Sequence, residues 1–121
     1  MDKLEERDVD RLIRILDYCE RIESCIQRFG DDYNIFAKDA DYRDVIKMNL
    51  FQIGENVNGL SEYCRELMNT IPWHQIYGLR NIIGHGYDIL NDERIWETVK
   101  KDIPKLVKQI THTLREAGEI I

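Results

Sequence analysis

Apolar residues recur at three- and four-residue steps through most of the chain, and no stretch alternates with a period of two. Helices are therefore the elements to expect. Val9, Leu12, Ile13, Leu16, Cys19, Ile22, Ile26 and Phe29 trace one stripe, with Asp10, Arg11, Arg14, Asp17 and Arg21 between them. This spacing predicts an amphipathic helix from about Glu5 to Phe29, ended by Gly30. Asp31 to Asp39 reads as a loop or short turn. The next seam is more regular: Ile46, Leu50, Ile53, Val57, Leu60, Cys64 and Leu67 alternate steps of four and three. It predicts one helix capped by Asp39 or Asp41. Met48 and Phe51 lie off that seam, giving the helix a second apolar face that suggests a partner subunit.

Ile71-Pro72-Trp73 opens a third helix, since proline suits a first turn, and Gly84 and Gly86 mark its end. Asn91 or Asp92 is expected to cap a fourth segment running through Lys101. Pro104 then starts or kinks a fifth, whose stripe is Ile103, Leu106, Val107, Ile110 and Leu114. The expected architecture is all-α: a four- to five-helix up-and-down bundle built around an antiparallel pair, with residues 1–121 as one domain.

Composition narrows the function classes. No apolar run approaches the roughly 18 residues that span a bilayer, and the first ten residues, MDKLEERDVD, are charged rather than leader-like. The expectation is a cytoplasmic protein without a membrane anchor. A net charge of −6 and a pI near 5.1 weigh against generic nucleic-acid binding, so any phosphate contact must rest on locally concentrated positive charge. Cys19, Cys25 and Cys64 are odd in number and form no C-x-x-C pair, and His74, His85 and His112 are scattered. The cysteines are expected to be reduced packing residues, with no metal site and no cofactor.

The chemistry is concentrated between Arg80 and Tyr87. On a helical wheel, Trp73, Ile76, Tyr77, Ile83, Gly84 and Tyr87 share a face of the third helix and Arg80 falls in its middle. A guanidinium there is costly unless it is paired, for instance with Glu55, or faces a wet cleft. His85 lies about 140° round from Arg80, beside Asn81. Arginine is long, and the two side chains can converge on one phosphate at the helix end.

Arg80-Asn81-Ile82-Ile83-Gly84-His85-Gly86-Tyr87 resembles the R-x4-H-x-Y signature of HEPN-domain toxins of the HepT type, a DUF86-like family. Ile53-Gly54-Glu55, Ile71-Pro72-Trp73, Ile95-Trp96-Glu97 and Asp102-Ile103-Pro104 are similar landmarks, so the likeness spans nearly the whole chain. The resemblance implies helical bundles that form homodimers, bringing two motif copies to a shared cleft. It implies a metal-independent endoribonuclease toxin encoded beside an MNT-type nucleotidyltransferase antitoxin. That antitoxin uses ATP to transfer adenylate to the motif tyrosine. Carried over by position, Arg80 and His85 are the catalytic pair and Tyr87 is the adenylylation target.

The residues suit that chemistry. Cleavage through the 2′-hydroxyl needs a base, a cation for the developing phosphorane charge and an acid for the leaving oxygen. Histidine serves as base or acid, and arginine offers a cationic fork to phosphate oxygens. A helix C-terminus favours the His85 imidazolium while Arg80 favours the neutral ring, so these two influences oppose each other. Asn81 either orients His85, touches RNA or caps a carbonyl; Glu55 either supports Arg80 or is purely structural. Adenylate on Tyr87 would place negative charge where substrate phosphate sits.

Independently of the resemblance, Lys101, Lys105, Lys108, His112 and Arg115 fall at steps of four, three, four and three. They share one helix face, either a track for an RNA backbone or a merely solvated surface. The alternative function, from another class, is a non-catalytic helical partner that binds and regulates a nucleotidyltransferase or a nucleotide. A purely structural dimer module with an Arg80–Glu55 pair is a third reading.

Overall fold

A computed structural model describes residues 3–84 and 89–119. It places six helices in these residues: α1 (Glu6–Phe29), α2 (Tyr33–Lys38), α3 (Ala40–Asn58), α4 (Glu62–Leu67), α5 (Trp73–Gly84) and α6 (Ile89–Glu116). No strand occurs among them, and the all-α bundle expected from the periodicity is what forms. Helix α3 is the hub, packing on α1 along one side and α5 along the other, while α6 closes against α1. No helix of the described residues is long and apolar enough to cross a membrane.

Helix α1 begins and ends as its sequence dictates. Its buried set is Leu12, Ile15, Cys19, Ile22 and Cys25, so the inward face is turned slightly from the expected stripe and Ile13 is left exposed. Gly30 ends the helix at φ 128°, a conformation costly for a side chain bearing Cβ, and its N–H donates to the Ile26 carbonyl at 2.8 Å. The span read as a loop or turn holds the short helix α2, capped by Asp32 through the Asn34 N–H at 2.7 Å. Phe36 on α2 is buried against Tyr42 and Trp96, their ring centroids 5.3 and 5.1 Å away. That aromatic contact orders a segment whose polar composition reads as irregular.

The second seam is not one helix. Gly59 turns the chain out of α3, its N–H bonded to Asn56 O at 3.1 Å, and Ser61 caps α4 through the Cys64 N–H at 3.1 Å. The break shifts the helical register by one residue, so Met68 is buried and Leu67 lies exposed. Asp8 helps to hold it. This fully buried carboxylate accepts from the Ser61 N–H at 2.8 Å and the Ser61 hydroxyl at 2.7 Å, and also from the Glu5 N–H at 3.2 Å. Burial pulls the Asp8 carboxyl up, but these hydrogen bonds outweigh it and leave it below the ordinary aspartate value.

Conversely, the expected fourth and fifth segments are a single helix. Pro104 sits inside α6 and removes one backbone donor, yet Ile95, Val99, Ile103, Leu106, Ile110 and Leu114 form one buried stripe across it. Core packing outweighs the proline. Asn91 and Asp92 are accordingly within α6 rather than its caps. All three cysteines are free and buried, and burial pushes the Cys19 and Cys64 thiols up to about 12.

Candidate active site

The buried side chains on α5 are Trp73, Ile76 and Leu79. The inward face is therefore centred on Ile76 and Leu79, and Arg80 stands at its edge, its side chain 30% exposed, rather than in the middle of an apolar stripe. Trp73 anchors the helix start by donating its indole N–H to the carbonyls of Arg65 and Met68, at 3.1 and 3.0 Å. With that end fixed and Ile76 and Leu79 buried, the edge position of Arg80 against α3 is determined.

Gly54 makes that position possible. A Cβ on residue 54 would lie 2.8 Å from Arg80 Cγ, 3.3 Å from Cδ and 3.6 Å from the Ile76 carbonyl oxygen. Only a bare backbone leaves room for the arginine stem in the groove between α3 and α5. The next residue, Glu55, meets the guanidinium at Nε. Two rings complete the cradle: Arg80 Cζ is 5.0 Å from the Tyr77 centroid and 5.9 Å from that of Phe51. Carboxylate and π-faces together restrain the planar fork, whose geometry matches phosphate oxygens.

Asn81 is exposed beside Arg80. His85 and Tyr87 lie outside the described residues, as does Gly86. Lys101, Lys105 and Lys108 are exposed along α6, and Lys101 pairs with Glu97 at 2.9 Å. Among the described residues, no group of three or more His, Cys, Asp or Glu side chains is arranged to hold a metal ion.

Sequence reasoning missed two parts of this region. Phe51, on the off-seam face of α3, also flanks Arg80 with its ring. Asp92, with Asn91 a candidate cap by sequence, instead receives Lys47 Nζ at 3.0 Å and Arg43 Nε at 3.9 Å from α3. The signal was present in the i, i+4 row Arg43, Lys47, Phe51, Glu55, a polar and aromatic edge of α3 distinct from its apolar seam.

Several known proteins are similar to this chain in sequence. The family model described as "Ribonuclease HepT-like" matches residues 15–113. A protein of Caldanaerobacter subterraneus subsp. tengcongensis that carries the provisional name of an RNase is 34% identical over 105 residues, covering 87% of this chain and 92% of its own. A Methanocaldococcus jannaschii protein with the same kind of provisional name is 32% identical over 90 residues, covering 67% of this chain and 83% of its own. A second protein of that archaeon is named for both gamma-glutamylcyclotransferase and provisional RNase functions. It is 32% identical over 105 residues, but only 46% of its length is covered. No solved structure matches the chain.

Proposed function

The chain belongs to the HepT-like ribonuclease family, and on that premise we propose that it is a toxin-type endoribonuclease acting without a metal ion. One observation carries the reading. Arg80, the first residue of the R-x4-H-x-Y run, is the sole arginine of α5, and a glycine, a glutamate and two rings are arranged around it. Purely structural pairing needs the glutamate but not the glycine clearance and the flanking rings.

In the proposed reaction a neutral His85 takes the proton from a ribose 2′-hydroxyl. The 2′-oxygen attacks the adjacent phosphorus, and Arg80 stabilises the charge gathering on the non-bridging oxygens. The bond from phosphorus to the 5′-oxygen breaks, and that oxygen takes a proton from a second His85, protonated, in a homodimer. The products are a 2′,3′-cyclic phosphate and a 5′-hydroxyl, with the two histidines having exchanged protonation states. Glu55 acts through Arg80 by holding its fork, and Asn81 supports His85 or the substrate. Lys101, Lys105 and Lys108 extend the RNA contact along α6. Adenylate transferred to Tyr87 by a nucleotidyltransferase antitoxin silences the site by charge and bulk.

One feature favours the rival reading of a non-catalytic partner that binds and regulates a nucleotidyltransferase or nucleotide. Glu55 already engages Arg80, and an arginine so occupied is better suited to binding than to stabilising a transient charge. Cleavage of RNA by unmodified protein in EDTA, lost in Arg80→Ala and His85→Ala, separates the readings. The ribonuclease reading requires that result, and inert protein supports the binding module.

A further inference from the structure

Ion pairs among the described residues divide by exposure. Arg7–Glu5, Arg21–Asp17, Lys100–Asp31 and Lys101–Glu97 lie in the open, every side chain at least 42% exposed. Such pairs contribute little. Two further arrangements differ. Arg80 with Glu55 is intermediate, the side chains 30% and 41% exposed, whereas Asp92 with Lys47 and Arg43 is withdrawn from water, Lys47 and Asp92 being only 16% and 15% exposed.

Both arrangements originate on α3, and they reach the two helices that bracket residues 85–88 in the chain. Glu55 takes Arg80, one turn before the end of α5, and Lys47 takes Asp92, in the first turn of α6. Lys47 and Glu55 are eight residues apart, so their levels on α3 are separated by about 12 Å. Asp92 also suits the positive end of the α6 dipole. Moving a charged pair out of water gains little net stability over apolar packing, but it fixes direction and register between the elements it joins. Lysine in particular is seldom withdrawn this far without a partner that needs it.

Building on the ribonuclease reading above, we propose that Lys47 and Asp92, with Arg43, are positioning residues of the Arg80 site. Helix α3 grips α5 through Glu55 and α6 through Lys47, so one helix sets both ends of the span that carries His85 and Tyr87. Neither Lys47 nor Asp92 contacts RNA in this account. Their work is to hold the first turn of α6 where α3 dictates.

The test compares the full-length parent with Asp92→Asn, Lys47→Met and Lys47→Arg, measuring hydrogen exchange and RNA cleavage. The amides of residues 93–96 bond back to the carbonyls of residues 89–92, the first turn of α6. Their exchange is expected to rise at least tenfold in Asp92→Asn and Lys47→Met, with protection in α1 unchanged. The kcat on a defined RNA oligonucleotide is expected to fall at least tenfold with KM within twofold, and Lys47→Arg should restore kcat to within threefold of the parent. Lys47→Met keeps the apolar stem and serves if Asp92→Asn fails to fold. Unchanged exchange at residues 93–96 overturns the clamp, and raised exchange with undiminished kcat overturns its positioning role. Tighter RNA binding by Asp92→Asn would make Arg43 and Lys47 direct phosphate ligands, and also overturns it. If the parent cleaves nothing, the ribonuclease reading falls while the exchange measurement still decides whether α3 holds α6.

Discussion

Gly54→Ala is the smallest change that should damage the site while sparing the fold. The added Cβ would sit 2.8 Å from Arg80 Cγ and 3.3 Å from Cδ. Ordinary carbon contacts begin near 3.5 Å, so the arginine stem must move by roughly 0.7 Å, dragging its guanidinium off Glu55. Alanine improves helix propensity by about 1 kcal/mol over glycine, while overpacking a fitted contact costs about 1–3 kcal/mol. The net destabilisation is therefore about 0–2 kcal/mol, a fall in Tm of up to roughly 10 °C for a domain of this size. The catalytic effect is larger in proportion, because a 1 Å misplacement of a catalytic group can cost about 100-fold. A kcat loss of about 10- to 100-fold is expected. Gly78→Ala, on α5 where a Cβ meets nothing within 4 Å, is the control. It should raise Tm by a few degrees through the same propensity gain and leave kcat within twofold. Melting curves and RNA cleavage on both variants decide the matter. If Gly54→Ala gained stability like Gly78→Ala and kept full kcat, the argument from steric clearance would be refuted.

Two further outcomes follow from the same structure. The Asp8 carboxyl is held below its ordinary value by Ser61 and Glu5, so its contribution is complete above the unfolded-state value of 3.8 and lost as pH falls through the lower folded value. Asp8→Asn should cost about 1–3 kcal/mol at neutral pH and flatten the acid limb of the stability profile; an unaltered limb in urea titrations would refute that role. The α6 lysines are tested by Lys105→Glu combined with Lys108→Glu, which should weaken RNA binding several-fold and make it less salt-dependent, with an unchanged circular dichroism spectrum. Undiminished affinity would leave the lysines as a solvated face.

Local periodicity made the helices legible, and it failed where tertiary contacts intervene. The seam from Ile46 to Leu67 looks continuous because the steps across Gly59 still sum to helical spacing. The Ser61–Asp8 bonds that cut it join residues 53 positions apart, beyond any local pattern. Pro104 gave the opposite error: proline chemistry argues for an interruption, and the buried stripe on both sides of it shows why none occurs. For the site, Arg80 is legible from its neighbours in sequence, and Glu55 is legible as one possible partner. The need for Gly54 is not, since a glycine's value lies in what approaches it. Asp92 carried an ambiguous signal, because an acidic residue in a first turn serves equally as a cap or as a cross-helix partner.

The central claim is best tested by incubating RNA with purified protein in EDTA, after mass spectrometry confirms that Tyr87 carries no adenylate. The account predicts cleavage to 2′,3′-cyclic phosphate and 5′-hydroxyl ends, abolished in Arg80→Ala and in His85→Ala. Intact RNA with the unmodified protein, or cleavage that persists in both variants, would contradict it.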